Sequence, residues 1–315
     1  MKVVTRHYES SIVSRMNDDN AVRTPAVDMP ALPDVPGFTH EYIETSGLVT
    51  HVACAGEGDP IVMLHGLPQH WWQWRAIGAG LARDYRVICP DLRGFGWTRA
   101  DAPGMGRMSQ MDDLCAVLDA LKIDRARVVA HDMGALTAAH LAYTETERVS
   151  AMVILAVPPP FMPISVAMLP AMRHIPPLLF HRRGRSLAHL FDPPYVVRPM
   201  SADTVATYLS PQVRPDIDAA INEVYRWLVF SEMPRMAGGS YRKTRLTVPT
   251  LYAFGDADKP LTASFVREQC GDTARYADHV EIAGIPDAAH FMTDDNPEAV
   301  EAAIRDFFQR HGSDR

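Results

Sequence analysis

Residues 127–134 read Arg127-Val128-Val129-Ala130-His131-Asp132-Met133-Gly134, and a helix-prone stretch, Ala135–Tyr143, follows directly. The Arg127–Ala130 run is short and rich in apolar residues, which fits a strand buried on both faces, as in a parallel sheet. Ala130 and Gly134 flank Asp132 in a small-x-acid-x-small pattern. A sharp strand-to-helix turn needs that pattern, because strand and helix pass very close to each other there. Such a turn lifts Asp132 above the sheet at a helix N-terminus, whose partial positive charge keeps a carboxylate ionised. Aspartate also caps ordinary helices, and that is the alternative reading.

Similar units lie on both sides. Glu41–Thr45 and Thr50–Ala55 alternate as strands around Gly47, and Ile61–Leu64 and Arg86–Cys89 are short buried runs. Met108–Leu121 has helical spacing, with Ser109 as the expected N-cap region. Met152–Val157 reads as a further strand. Thr250–Phe254 (strand), Ala263–Cys270 (helix), Val280–Ile282 (strand) and Pro297–Arg310 (helix) resume the alternation. Strands alternating with helices predict an α/β protein with a doubly wound, mainly parallel sheet. Between Val157 and Leu246 lie 13 of the 25 prolines and eleven Lys/Arg against six Asp/Glu. This predicts an inserted, mainly helical cap. The expected organisation is an N-terminal arm over 1–36, a core over 37–156 and 247–315, and the cap over 157–246. The arm is polar and proline-rich, without periodicity, and reads as extended or partly disordered.

Composition narrows the function. The chain has 315 residues, 47% hydrophobic and 22% charged, with a net charge of −7. An overall basic footprint for nucleic acid is absent. No apolar run reaches the roughly 18 residues of a membrane span, and the N-terminus lacks the apolar core of a secretory signal. Cys54, Cys89, Cys115 and Cys270 are scattered, which predicts reduced thiols and a cytoplasmic location. Neither a metal-ligand spacing nor a Gly-rich phosphate loop is evident, so neither metal nor cofactor is expected.

Three more segments carry chemistry. His65-Gly66-Leu67-Pro68 follows the Ile61–Leu64 run: Gly66 permits close backbone approach, Pro68 admits a cis peptide, and the Leu67 N–H would face a developing oxyanion. A plain turn is the alternative. Gly255-Asp256-Ala257-Asp258 follows the Thr250–Phe254 strand, and His290 follows Val280–Ile282. A general base needs a carboxylate that holds its tautomer and stabilises its cation. All these groups fall at strand C-terminal ends, where ligands of open α/β sheets bind.

On these residues the sequence resembles α/β-hydrolases of the epoxide-hydrolase branch, from about residue 38 to about 310. The resemblance rests on His65-Gly66-Leu67-Pro68-Gln69 with Trp71, Trp72 and Trp74, on Cys89-Pro90-Asp91-Leu92-Arg93-Gly94-Phe95-Gly96-Trp97, on His131-Asp132-Met133-Gly134, on Val248-Pro249-Thr250, and on the His290 segment. The order 132, 258, 290 is that superfamily's order of nucleophile, acid and histidine. The resemblance implies Asp132 as nucleophile, His290 as base and Asp258 as its orienting acid, with Asp256 as the substitute. It implies an oxyanion hole from the N–H groups of Leu67 and Met133, and substrate contacts from His65, Pro68 and Trp71, although the tryptophans also read as packing. Of the family's two cap acids, Tyr225 in Tyr225-Arg226 matches the first, and His174 stands where the second is usually a tyrosine. A core tyrosine and a structural histidine are the alternatives, with Tyr195, Tyr208 and Tyr241 as other donors. Met133 replaces the family's usual Trp.

The aspartate selects the reaction class. A carboxylate attacking an ester carbonyl would form a reactive anhydride, whereas attack on an sp³ carbon leaves an alkyl ester. The expected reaction is epoxide hydrolysis to a vicinal diol. A dehalogenase using Asp132, Asp258 and His290 is the alternative, and a ligand-binding protein without turnover the third. The expected partners are a small apolar epoxide and water in a methionine-rich apolar pocket, with no nucleic acid and a homodimer left open.

Overall fold

The computed structural model describes residues 29–45, 47–101 and 104–311, so most of the predicted N-terminal arm lies outside the described residues. Among the described residues, nine strands form one sheet: β1 Thr39–Thr45, β2 Leu48–Ala55, β3 Pro60–Leu64, β4 Arg86–Pro90, β5 Arg99–Ala100, β6 Ala126–His131, β7 Val149–Leu155, β8 Thr250–Gly255 and β9 Val280–Ile285. Their order is β1-β2-β4-β3-β6-β7-β8-β9, with the short β5 beside β2. β1, β2 and β4 pair antiparallel, and from β4 to β9 every pairing is parallel.

The continuous apolar runs have a simple cause. On β3, Val62 and Leu64 enter one core while Ile61 and Met63 enter another; on β6, Val128 and Ala130 face the first and Val129 the second. Successive side chains point to opposite faces, so a sheet covered twice needs apolar residues at every position. The helices of the α/β core supply the covers: α1 Arg75–Leu81, α2 Arg107–Ala120, α3 Met133–Thr144, α8 Ala263–Cys270, α9 Met292–Asp295 and α10 Pro297–His311. α1 and α10 bury Ile77, Leu81, Val300, Ile304, Phe307 and Phe308 on one face. α2 and α3 bury Leu114, Leu118, Ala138 and Leu141 on the other.

The sequence of elements between β7 and β8 is helical: α4 Ile175–Leu179, α5 Ala202–Leu209, α6 Pro215–Trp227 and α7 Met233–Ala237, with a π-helical turn, Leu228–Glu232, joining the last two. α6 buries Ile217, Ile221, Val224 and Tyr225, the apolar face that its spacing predicts.

Some local expectations differ. α2 starts after Gly106, which has no side chain to cap it, and Ser109 lies inside the first turn. α1 and the preceding 3₁₀ turn, Trp71–Trp74, carry no strong sequence signal because the turn is held by tertiary contacts: the Trp71 N–H donates to Asp91 Oδ1 at 2.8 Å. All four cysteines are free thiols. Among the described residues, no helix is long and apolar enough to cross a membrane.

Candidate active site

Asp132 joins β6 to α3 with φ at 47°, a left-handed conformation that costs a non-glycine residue about 1–3 kcal/mol and persists only where the surroundings impose it. The surroundings are tight. A Cβ on Gly134 would lie 2.6 Å from the carbonyl oxygens of Leu64 and His65, and one on Gly66 would lie 2.5 Å from the Asp132 Cβ. Both glycines are therefore demanded by close approach of the β3 loop to the turn. The Asp132 side chain does not cap α3. Its Oδ1 instead accepts the Leu67 N–H across the gap at 3.0 Å, with the Leu67–Pro68 peptide cis.

His290 stands on the loop after β9. Its Nε2 is 3.4 Å from Asp132 Oδ2 and its Nδ1 is 3.4 Å from Asp258 Oδ2, on the loop after β8. Both separations exceed those of a well-directed charged hydrogen bond, about 2.7–2.9 Å, as is common for such groups before substrate arrives. Burial opposes a charge on His290, but the two carboxylates outweigh it and hold the imidazole above its ordinary value. Burial likewise opposes the Asp132 carboxylate, and the hydrogen bond and charge of His290, with the Leu67 N–H, pull it well below the usual range. The resting pair is therefore a carboxylate and an imidazolium. Asp256, the substitute acid, is exposed, whereas Asp258 lines the same cavity as Asp132 and His290.

That cavity, about 180 Å³, opens between the sheet and the helical insert. Its walls are mostly apolar, with Met133 from the core and Met168, Met172, Met233 and Met236 from the insert. Tyr225 and His174 both line it, with their rings edge-on and centroids 6.0 Å apart. Burial first, then the Asp132 charge, raises the Tyr225 hydroxyl well above its ordinary value, so it carries its proton. Burial lowers His174, which leaves it a neutral imidazole.

Other expectations are corrected. Trp71 does not reach the cavity: it is fully buried and packs against Phe38, His40 and His51. Its indole fills the core beneath the loop because the Asp91 carboxylate fixes the backbone there. His65 is also fully buried and does not line the cavity. Its Nε2 accepts the Leu92 N–H at 2.9 Å and its Nδ1 lies 3.0 Å from the Gly66 carbonyl, so it ties two loops together. Pro68 lines a separate small cleft with Gln69, His70 and Tyr208. Of the other tyrosines, Tyr195 lines the cavity. Tyr208 is bonded to Asp294 and Tyr241 to Glu232, away from it.

The sequence reading missed how the His290 loop is gripped. His131 is buried and held neutral, its pKa pushed down to about 4 by burial and then by His290, and its Nε2–H donates to the His290 carbonyl at 2.9 Å. From the insert, the Tyr195 carbonyl accepts the Phe291 N–H at 3.0 Å. Asp294, four residues beyond His290, receives Arg75 at 2.7 Å, Gln69 at 2.8 Å and the Tyr208 hydroxyl at 2.9 Å. His131 was visible beside the nucleophile. The Asp294 partners are 86 to 225 positions away in the chain and leave no local signal.

Comparisons with known proteins bear on the fold. Residues 59–180 match the family model described as alpha/beta hydrolase fold. The chain is 25% identical over 293 residues to the soluble epoxide hydrolase of Corynebacterium sp. (strain C12), covering 86% of this chain and 97% of that protein. It is 40% identical over 121 residues to epoxide hydrolase 2 of Siraitia grosvenorii, a stretch covering 38% of each. The crystal structure of Cfl2 from Burkholderia cenocepacia superposes with a TM-score of 0.75 at 24% identity, covering 89% of this chain and 100% of that one. The chain therefore carries the alpha/beta hydrolase fold and, over most of its length, is similar to a protein named soluble epoxide hydrolase.

Proposed function

We propose that this hydrolase opens an epoxide to a vicinal diol through a covalent alkyl ester on Asp132. The observation that carries this reading is the strained Asp132 turn, where a carboxylate faces an apolar cavity within 3.4 Å of an imidazole that a second carboxylate flanks. The similarity to proteins named epoxide hydrolases supports it.

This reading has two half-reactions. In the first, Asp132 Oδ2 attacks one ring carbon, the C–O bond to the ring oxygen breaks, and Tyr225 gives its proton to that oxygen. His174 hydrogen-bonds the same oxygen as a neutral donor. Help of this kind contributes typically 10²–10⁴-fold. Esterification removes the Asp132 charge that held the His290 proton. The imidazolium then returns a proton to the tyrosinate and becomes a neutral base. In the second half, His290, oriented by Asp258, takes a proton from water, and the hydroxide attacks the ester carbonyl of Asp132. The N–H groups of Leu67 and Met133 hold the tetrahedral oxyanion, where losing one donor costs about 2.7–4 kcal/mol. Collapse releases the diol and restores the carboxylate–imidazolium pair. One water is consumed and the protons balance.

A dehalogenase reading shares Asp132, Asp258 and His290, but a halide leaving group needs N–H donors converging on it. No tryptophan is among the residues lining the cavity, and Met133 stands next to the nucleophile. A lone apolar-ligand carrier would not need an imidazolium beside the elbow carboxylate.

The test is a single turnover in H₂¹⁸O with styrene oxide and, in parallel, a haloalkane, followed by mass spectrometry of the peptide that contains Asp132. Label in that carboxylate with diol formed from styrene oxide is the expected result. Halide release alone would move the chain to the dehalogenases, and diol formed with no label in the Asp132 carboxylate would exclude the ester.

A further inference from the structure

At the opposite end of β9 from His290, three side chains with metal-ligating atoms meet. His279 precedes β9, Glu281 lies two residues on, and His311 ends α10. The two imidazoles approach one oxygen: His279 Nε2 is 2.9 Å and His311 Nε2 is 3.1 Å from Glu281 Oε1. The rings sit 4.2 Å apart between centroids. The three ligating atoms all fall within 4.8 Å of one another.

A third donor, Arg310 Nη1, reaches that same oxygen at 2.5 Å, while its Nη2 takes Oε2 at 2.8 Å. Three donors therefore converge on Oε1, which has two lone pairs. The arrangement is over-subscribed as a hydrogen-bond cluster. It can become a ligand set, because moving each imidazole proton to Nδ1 turns Nε2 from a donor into a lone pair. Zinc bonds of about 2.0–2.2 Å at tetrahedral angles put neighbouring ligand atoms roughly 3.3 Å apart, so the two nitrogen–oxygen separations would open by a few tenths of an ångström. Arg310 can keep Oε2 and has Asp306 as a second partner, at 2.9 Å.

We propose that His279, Glu281 and His311 form a surface site for a borderline divalent transition ion of the zinc class, with water completing the coordination, which staples the C-terminal end of α10 to the sheet edge. Two imidazoles and one carboxylate suit zinc, nickel or copper and disfavour magnesium or calcium, which prefer oxygen-only sets. Bridging the edge strand and the last helix would stabilise the folded chain by mass action. The site is remote from the cavity, so diol formation would not depend on it.

The experiment uses the full chain at pH 8, freed of metal with a chelator and then dialysed. Zinc chloride is titrated calorimetrically, and the melting temperature is followed with and without zinc. The expected result is one ion per chain and a melting temperature that rises with zinc, with His279→Gln and His311→Gln each weakening binding at least about tenfold. Cobalt(II) provides a second readout: absorption bands of a four-coordinate nitrogen–oxygen site in the native chain, absent in both variants. Binding that is unaffected by both substitutions, or no stoichiometric binding with a folded chain verified by its melting transition, would overturn the proposal.

Discussion

Two histidine–carboxylate clusters sit at the two ends of β9, and their ratios are inverted. At the C-terminal end one imidazole, His290, is flanked by two carboxylates, Asp132 and Asp258, at the floor of an apolar cavity. At the other end one carboxylate, Glu281, is shared by two imidazoles and a guanidinium on the surface. With excess carboxylate and little water, the first cluster traps a proton on the imidazole. With excess imidazole and partial exposure, the second has ring nitrogens that a cation could take once their protons move to Nδ1. The same residue types thus acquire different chemistry from stoichiometry and burial alone.

The comparison breaks most readily at Asp132. Asp132→Asn should remove turnover by at least about a thousandfold, since the covalent step disappears; single-turnover diol release in a preparation shown by mass to be free of deamidation measures it. His290→Gln should halt the second half alone. The ester then accumulates as a persistent mass increase equal to the substrate, and diol release slows by roughly a thousandfold. If neither ester nor slowing appears, His290 is not the base.

Tyr225→Phe comes next, slowing ester formation by about a hundredfold if His174 shares the ring oxygen and more if it does not, within the range for general acids. Stopped-flow alkylation in the His290→Gln background measures it, and rates equal to those with Tyr225 intact would remove that hydroxyl from the site.

The charge pair has a sharper, smaller signature. His290 should titrate above the ordinary histidine value of 6.5 by NMR and fall when Asp132→Asn removes its partner. Its folded pKa is raised, so its stabilising contribution is complete below the unfolded value and is lost as pH rises through the folded one. Asp132 is depressed, so its contribution is present above its unfolded value of 3.8 and is lost as pH falls through the folded one. The stability lost on His290→Gln should therefore be greatest between about pH 4 and 6.5 and shrink on either side, and a difference that does not shrink as the pH rises above that range would contradict the pair. The smallest effect is expected at the other cluster: Glu281→Gln should leave diol formation within about twofold, because partly exposed pairs are weak and this one lies outside the cavity.

The amino-acid sequence by itself determined the sheet, the elbow and the order of its chemical groups. These are carried by local rules: apolar runs where both faces are covered, small residues where strand and helix nearly touch, and an acid raised on the turn between them. The β3 and β6 runs and the Ala130-to-Gly134 pattern are legible because each residue's constraint comes from neighbours a few positions away. Only the tertiary structure decided which residues share a space. It withdrew Trp71, His65 and Pro68 from the cavity, chose Asp258 over Asp256 beside His290, separated Tyr195 from Tyr208 and Tyr241, and joined Asp294 to partners across the chain. It also brought His311 to His279 and Glu281, a set without recognisable spacing in the sequence. The physical reason is that burial and contact depend on how distant elements pack, and a side chain's chemistry follows from the charge, water and volume that packing leaves around it.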